Sequence, residues 1–425
     1  MRVELIRHVA GHELPLMLDD DGMPIPSANE FILGRQQLKT NTLTRNAREL
    51  MPLFEWLKAH KIVLWQRVSS EQGFSEAEIV GSLFVTLRRD RSLGKIKRLV
   101  VEPATYNQRL MTISAFLYWY FNTCLVGMSS EHRLRERIKE NQVRVASWFN
   151  EGYISAAPTA RAGGSKSLTH QEEAFLLECL DPIHGKGVGK LTQVPPLHKG
   201  ATPAQKKKRK KAKESRLRQD ALRHRNFVAM LLMLQAGLRR GELLSLWVED
   251  VVISSISQVN VVVRTPDPND IRKQRPGIKR NSHTVYMSPS FARAVDEYIT
   301  EWRPVLLDLA EADNDYLILS GGGNPLSMAR LNEIFIELRT AYPDRLPKLL
   351  SPHTLRHRFT QNLERGMREV GMEEEKRKMA LALIRGDSSL ESQNVYLEAE
   401  VHEQASKVLI RHQENVMSLT EDVPF

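Results

Sequence analysis

Residues 351–359 read SPHTLRHRF, and the order of residue types there decides most of the fold and chemistry expected of the chain. Ser351 is a good N-cap and Pro352 a good first helical residue, so His353 falls in the first turn of a helix. Arg356 and His357 then lie one turn on, on the same face. One helix end would present an imidazole, a guanidinium and backbone N–H groups together, which is a natural site for phosphate oxygens. The plain alternative is a surface helix with scattered basic residues.

Two further clusters flank this one. In QAGLRRGELLSL, residues 235–246, Gly237 and Gly241 bracket Leu238, Arg239 and Arg240 directly after a long apolar helix. Arginines leaving a buried helix are costly unless they meet an anion or a carboxylate, and Glu242, one turn beyond Arg239, could orient its guanidinium. A structural Arg–Glu pair at a helix boundary reads equally well from this segment alone. In RGDSSLESQNVYLEAE, residues 385–400, Asp387 or Ser388 is expected to cap a short helix leading to Tyr396. A tyrosine so placed is ordinarily a half-buried packing residue.

The rest of the chain sets the frame. With 425 residues and 41% hydrophobic content it can bury two or three domain cores, and 61 Lys+Arg against 51 Asp+Glu give a formal charge of +10 that favours polyanionic partners. Cys124 and Cys179 sit inside apolar helical patterns with no ligand-like spacing, so neither a disulfide nor a metal site is expected. The longest apolar run, from Phe227 to Leu234, falls well short of the roughly 20 residues that span a bilayer, and MRVELIRHVAGHELPL lacks a signal-peptide core. A cytoplasmic or nucleoid-associated protein is expected.

Residues 1–40 suggest a small β-containing arm or entry segment. From Asn41 helical spacing takes over, with Leu43, Ala47, Leu50, Phe54 and Leu57 on one face and Thr42 or Thr44 as N-cap. A second helix runs from about Thr105, where Leu110, Ile113, Phe116, Leu117, Tyr120 and Phe121 form a stripe. Residues 41–155 thus read as a helical domain and 156–168, rich in Gly, Ser and Ala, as an exposed linker. Beyond it a helix opened by Thr169 precedes an insertion at about 185–215. That insertion ends in a basic run, Lys206, Lys207, Lys208, Arg209, Lys210 and Lys211, read as a solvated loop or a flexible phosphate contact. Helix resumes at Arg225 and ends near Trp247. VVISSISQVNVVVRT supplies two strand segments and HTVYM a return strand, so 169–425 is mostly α with a small β-sheet, an α+β arrangement.

Together the three clusters resemble a known family. GLRxxEL, then HxLRH roughly 115 residues later, then a tyrosine some 40 residues beyond, is similar to the catalytic domain of the tyrosine recombinase (phage integrase) family. The resemblance covers most of residues 165–410, and the helical region 41–155 is similar, more weakly, to that family's core-binding domain. It implies that Arg239 and Arg356 bind the non-bridging oxygens of a scissile DNA phosphate, that His353 handles protons, and that Tyr396 is the nucleophile. The family's hairpin lysine falls best on Lys279, with Lys273 as rival. One position departs from the pattern. About nine residues before the nucleophile the family has His or Trp, and here Asp387 stands. A carboxylate beside a phosphate oxygen would repel it by roughly 1–4 kcal/mol. Either Asp387 caps the next helix, or Arg385 or His357 supplies the missing donor, or activity is reduced.

The chemistry so implied needs these residue types. Two guanidiniums neutralise the phosphodiester charge that repels nucleophiles. A tyrosine, with a reference pKa near 10, loses its proton more easily beside cations, and a lysine can protonate the leaving 5′ oxygen. A phosphotyrosine link conserves the bond energy, so no metal, ATP or other cofactor is called for. The implied partners are double-stranded DNA, three further copies of the chain in a homotetramer on two DNA sites, and possible accessory proteins, with no membrane. Two other readings remain: a type IB topoisomerase or hairpin resolvase with the same chemistry, and a non-catalytic DNA-binding protein on the same scaffold.

Overall fold

The apolar periods close into one large core in each of two units, Met1–Gly163 and Gly164–Phe425, with a small satellite cluster of Ala221, Leu306, Tyr316 and Leu319 in the second. The computed structural model describes residues 1–7, 13–70, 72–89, 100–126, 128, 133–155, 167–196, 198, 202–265, 267–278, 281–310, 312–386 and 395–421. Most described residues are helical, with two small antiparallel sheets.

The first unit opens with a hairpin of β1 (Arg2–Arg7) and β2 (Glu13–Leu18), followed by α1 (Pro26–Leu33), α2 (Thr40–Ala59), α3 (Leu64–Ser69), α4 (Phe84–Arg88), α5 (Pro103–Val126) and α6 (Arg133–Glu151). Leu43, Ala47, Leu50, Phe54 and Leu57 of α2 are all buried against Leu110, Ile113, Phe116, Leu117 and Phe121 of α5, and Phe116 meets both Phe31 and Phe54 edge-on. Residues 1–40 contain the expected β-structure, the β1–β2 hairpin, and pack into the first unit. Met17, Ala28, Phe31 and Ile32 belong to this same core, and the buried Asn29 ties β2 to α1 by accepting from the Met17 N–H at 2.8 Å and donating to its carbonyl at 3.0 Å. Neither Thr42 nor Thr44 caps α2. The helix starts earlier, with Lys39 at the cap, and Thr44 Oγ1 donates to the Thr40 carbonyl instead.

The expected linker, 156–168, lies almost wholly outside the described residues. In the second unit α7 (His170–Leu180) opens at Thr169, whose side chain and Glu172 form a reciprocal capping box. The basic run is no loop. Thr202 and Gln205 form another capping box, Pro203 takes the first turn, and α8 (Pro203–Gln235) runs unbroken from the exposed lysines into the core. The Gly/Pro-rich stretch before it is laid against this helix: Gln219 accepts from the Thr192 N–H at 2.7 Å, and Arg209 donates to the Pro195 carbonyl.

From Phe227 to Leu234 every residue of α8 is buried, at about 1.5–3 kcal/mol for each large apolar side chain. Around it stand α9 (Arg240–Ser245), the sheet β3 (Val251–Val252), β4 (Gln258–Val261) and β5 (His283–Tyr286), then α10 (Pro289–Glu297), α11 (Arg303–Asp308), α12 (Met328–Ala341), α13 (Pro352–Glu369), α14 (Glu374–Ile384) and α15 (Val395–Glu421). The connection from β4 to β5 is stitched to the core. Asp270 and Arg272 pair at 2.8 Å while Arg272 donates to the carbonyls of Leu244 and Leu326 and stacks on Tyr316.

Candidate phosphate site at the ends of α8, α9, α13 and α14

α8 stops at a glycine that nothing else could replace. Gly237 has φ +66°, and a Cβ there would lie 2.3 Å from the Phe359 ring of α13. The chain therefore turns tightly out of the core. Arg239 follows at the cap of α9, where its backbone N–H donates to Glu242 Oε2 at 2.7 Å and its guanidinium to Glu242 Oε1 at 2.6 Å. The reading of Glu242 as the residue that orients Arg239 matches this geometry.

α13 brings the second arginine to the same place. Ser351 stands at its N-cap with Pro352 in the first turn, and the Ser351 N–H donates to Thr354 Oγ1 at 3.2 Å. One turn later Arg356 points inward. It donates to the Gly237 carbonyl, lies 3.6 Å from Glu242 Oε2, and reaches the Arg385 carbonyl at the end of α14 at 3.0 Å. Arg239 donates to that same Arg385 carbonyl at 3.2 Å. The two guanidiniums thus share one carboxylate and one carbonyl. Their side chains are only 15% and 7% exposed, and Glu242 is 1% exposed, so among the described residues two cations set against one carboxylate give a net positive charge at low dielectric. Such a charge attracts an anion and is poorly screened by salt.

His353 and His357 are exposed on α13, while between and beyond them Arg356 and Arg358 turn into the protein. Arg358 is structural. It pairs with the buried Glu173 of α7 at 2.5 Å, and Asn362 bonds the same carboxylate. Lys273 is exposed in the β4–β5 connection beside the anchored Arg272. Lys206, Lys207, Lys208, Lys210 and Lys211 are exposed along the N-terminal turns of α8, with Arg209 half-buried by Pro195. Lys279 and Asp387 lie outside the described residues, as does Ser388. Arg385 contributes its carbonyl at the C-cap of α14. The short capped helix expected to lead to Tyr396 lies outside the described residues, and Tyr396 itself stands in the first turn of α15, which runs on to Glu421. Nothing is described of its side chain.

One residue at this site was missed. His283, the first residue of β5, packs against Gly386, just after the shared carbonyl, and its Nε2 is buried with no hydrogen-bond partner among the described residues. Burial holds its pKa below the usual imidazole value, with the charge of Glu242 opposing and those of Arg356 and Arg239 adding to the effect. A signal for it existed in HTVYM: alternation places His283 on the same face as the buried Val285 and Met287.

Residues 207–371 match the model of the phage integrase family. No curated protein matches the chain. Among solved structures, XerH site-specific recombinase bound to difH substrate aligns with 90% of this chain and 81% of its own at 13% identity and a TM-score of 0.48. The Tn1549 transposon integrase in complex with circular intermediate DNA aligns with 89% of this chain and 98% of its own, at 17% identity and a TM-score of 0.45. XerA recombinase aligns with 89% and 99%, at 15% identity and a TM-score of 0.30.

Proposed function

Because residues 207–371 form a phage integrase family domain, we propose that this chain is a site-specific recombinase that cuts and rejoins DNA through Tyr396. The observation that carries the reading is the arginine pair. Arg239 and Arg356 come from segments more than a hundred residues apart, yet both rest on Glu242 and on the Arg385 carbonyl. Two planar guanidiniums held on shared acceptors in this way suit the non-bridging oxygens of one phosphate.

In this reading the Tyr396 phenol oxygen attacks the phosphorus, the bond to the 5′ oxygen breaks, and a 3′-phosphotyrosine forms. The arginines stabilise the charge that builds on the non-bridging oxygens. Lys279 gives the departing 5′ oxygen its proton, with Lys273 the rival donor, and His353 takes up the phenol proton. The reverse attack by a 5′ hydroxyl from another duplex completes an exchange. The first unit and the basic turns of α8 hold the double-stranded DNA, and four copies act on two sites.

The test is a nicked suicide substrate, from which the cleaved strand diffuses away. The native chain should accumulate a covalent protein–DNA adduct, and Tyr396→Phe should form none while binding the DNA with nearly unchanged affinity. An adduct that survives in Tyr396→Phe would assign the nucleophile elsewhere. Adduct without lasting strand exchange between two duplexes would instead indicate a topoisomerase or resolvase.

A further inference from the structure

The turn that closes α14 is built around an imidazole. A Cβ at Gly386 would lie 2.3 Å from His283 Nδ1, and Gly386 has φ +60°, so the ring lies flush on backbone that only glycine leaves bare. The Gly386 N–H closes the turn on the Leu383 carbonyl at 3.0 Å. One residue earlier, the Arg385 carbonyl receives Arg239 at 3.2 Å and Arg356 at 3.0 Å. On its other side His283 is fixed by the sheet: it pairs in register with Val261 of β4, and Val285 and Met287 anchor the same face of the strand in the core. Its Nδ1 makes only a long contact, 3.3 Å, to the Asn281 carbonyl, and its buried Nε2 has no partner among the described residues. The ring is therefore held by contact rather than by its hydrogen bonds.

We propose that His283 is a positioning residue for the arginine pair: it clamps the Arg385–Gly386 turn against the sheet and so fixes the one carbonyl that both guanidiniums share. The inference rests on the reading of Arg239 and Arg356 as the phosphate-binding pair. A shift of about 1 Å in that carbonyl would take both contacts beyond hydrogen-bond distance and loosen the aim of two like-charged groups that Glu242 and the Gly237 carbonyl also hold.

The experiment compares His283→Ala and His283→Phe on two substrates. With ordinary DNA, His283→Ala should lower the cleavage rate about 10- to 100-fold with little change in affinity, and His283→Phe, which restores a ring without its nitrogens, should recover most of the loss. With a neutral methylphosphonate at the scissile position, one non-bridging charge is gone and the arginines matter less. The His283→Ala defect should then shrink to a few-fold. Equal loss on both substrates would mean general damage to the fold and would overturn the proposal, as would a His283→Phe protein no better than His283→Ala. A measurement on the DNA-free protein separates this from the function itself. The Nε–H signals of Arg239 and Arg356 by nitrogen-15 NMR, identified through Arg→Lys substitutions, should move in His283→Ala; unmoved signals sink the clamp even if the chain cleaves DNA. If they move while the native chain forms no adduct, the clamp stands and the recombinase reading falls.

Discussion

Glu242 decides how the two arginines behave before any DNA arrives. It is 1% exposed, bonds both the backbone and the guanidinium of Arg239, and lies 3.6 Å from Arg356. Removing one partner of a buried ion pair costs about 3–5 kcal/mol because the other charge is left uncompensated. Glu242→Ala should therefore lower stability in denaturant unfolding by about that amount, and Glu242→Gln, which still accepts the Arg239 N–H, by less. Phosphate affinity should move the other way, since the site becomes more positive, while strand cleavage slows because the guanidiniums are no longer aimed. A Glu242→Gln protein that cleaves at the native rate would show that the carboxylate only serves stability. The leaving group makes a different demand. An alkoxide needs a proton, whereas a 5′-bridging sulfur leaves as a thiolate with a conjugate acid near pKa 8.5 and hardly needs one. Lys279→Ala should fail on ordinary DNA and cleave the sulfur-substituted strand at close to the native rate, and Arg239→Ala should not be rescued by the sulfur. Rescue of Lys273→Ala in place of Lys279→Ala would move the acid to the earlier lysine. The link between Arg239 and Glu242 was legible because both lie within one helical turn; His283 was not, since its partner Gly386 lies about a hundred residues away and only the packing of β5 against α14 joins them.

Helix α8 shows where reading by pattern stops. Its second half announces itself by an apolar run, but its first half has no apolar face, and charge density alone suggested a loop. Lys, Arg, Gln and Ala are nonetheless good helix formers, and Thr202 with Gln205 three residues on is a start signal present in the sequence. The long helices α2 and α5 were legible from their stripes, while the tight stitching of the β4–β5 connection by Arg272 was not, because its partners Leu244 and Leu326 are distant. A helical basic run differs from a loop in what it can do: its lysines are held in a rigid array, and less side-chain and backbone freedom has to be given up when DNA binds. Replacing Lys206, Lys207, Lys208, Lys210 and Lys211 with Gln should keep the helix, by circular dichroism, yet weaken binding to every DNA sequence alike. The slope of log affinity against log salt should flatten by about 0.9 for each phosphate that is no longer neutralised. An unchanged slope would leave the basic turns as a solvated surface.

Two cores in one chain imply two thresholds of stability. Phe116 closes the first, where it is fully buried between Phe31 and Phe54; Phe359 closes the second, fully buried against Gly237. Cutting either ring back to Ala removes about 3–5 kcal/mol from the unit that holds it, because the forfeited transfer energy is joined by a cavity that close-packed neighbours cannot fill. In scanning calorimetry Phe116→Ala should lower one transition and leave the other in place, and Phe359→Ala should do the reverse. The consequences for DNA then separate in the same way. Between the lowered transition and the remaining one, Phe116→Ala should bind DNA weakly, since the unit proposed to grip it has melted, yet still form the covalent adduct when DNA is raised to saturation, because the arginine pair, Glu242 and α15 all belong to the other unit. Phe359→Ala strikes the chemistry directly: the ring it deletes is the one against which Gly237 turns, and Gly237 supplies a carbonyl to Arg356. Its adduct yield should fall at temperatures where the first unit is intact and DNA affinity largely kept. If instead either substitution lowers a single shared transition, the two cores unfold as one, and the gripping and cutting parts of the chain are coupled through more than the segment that joins them.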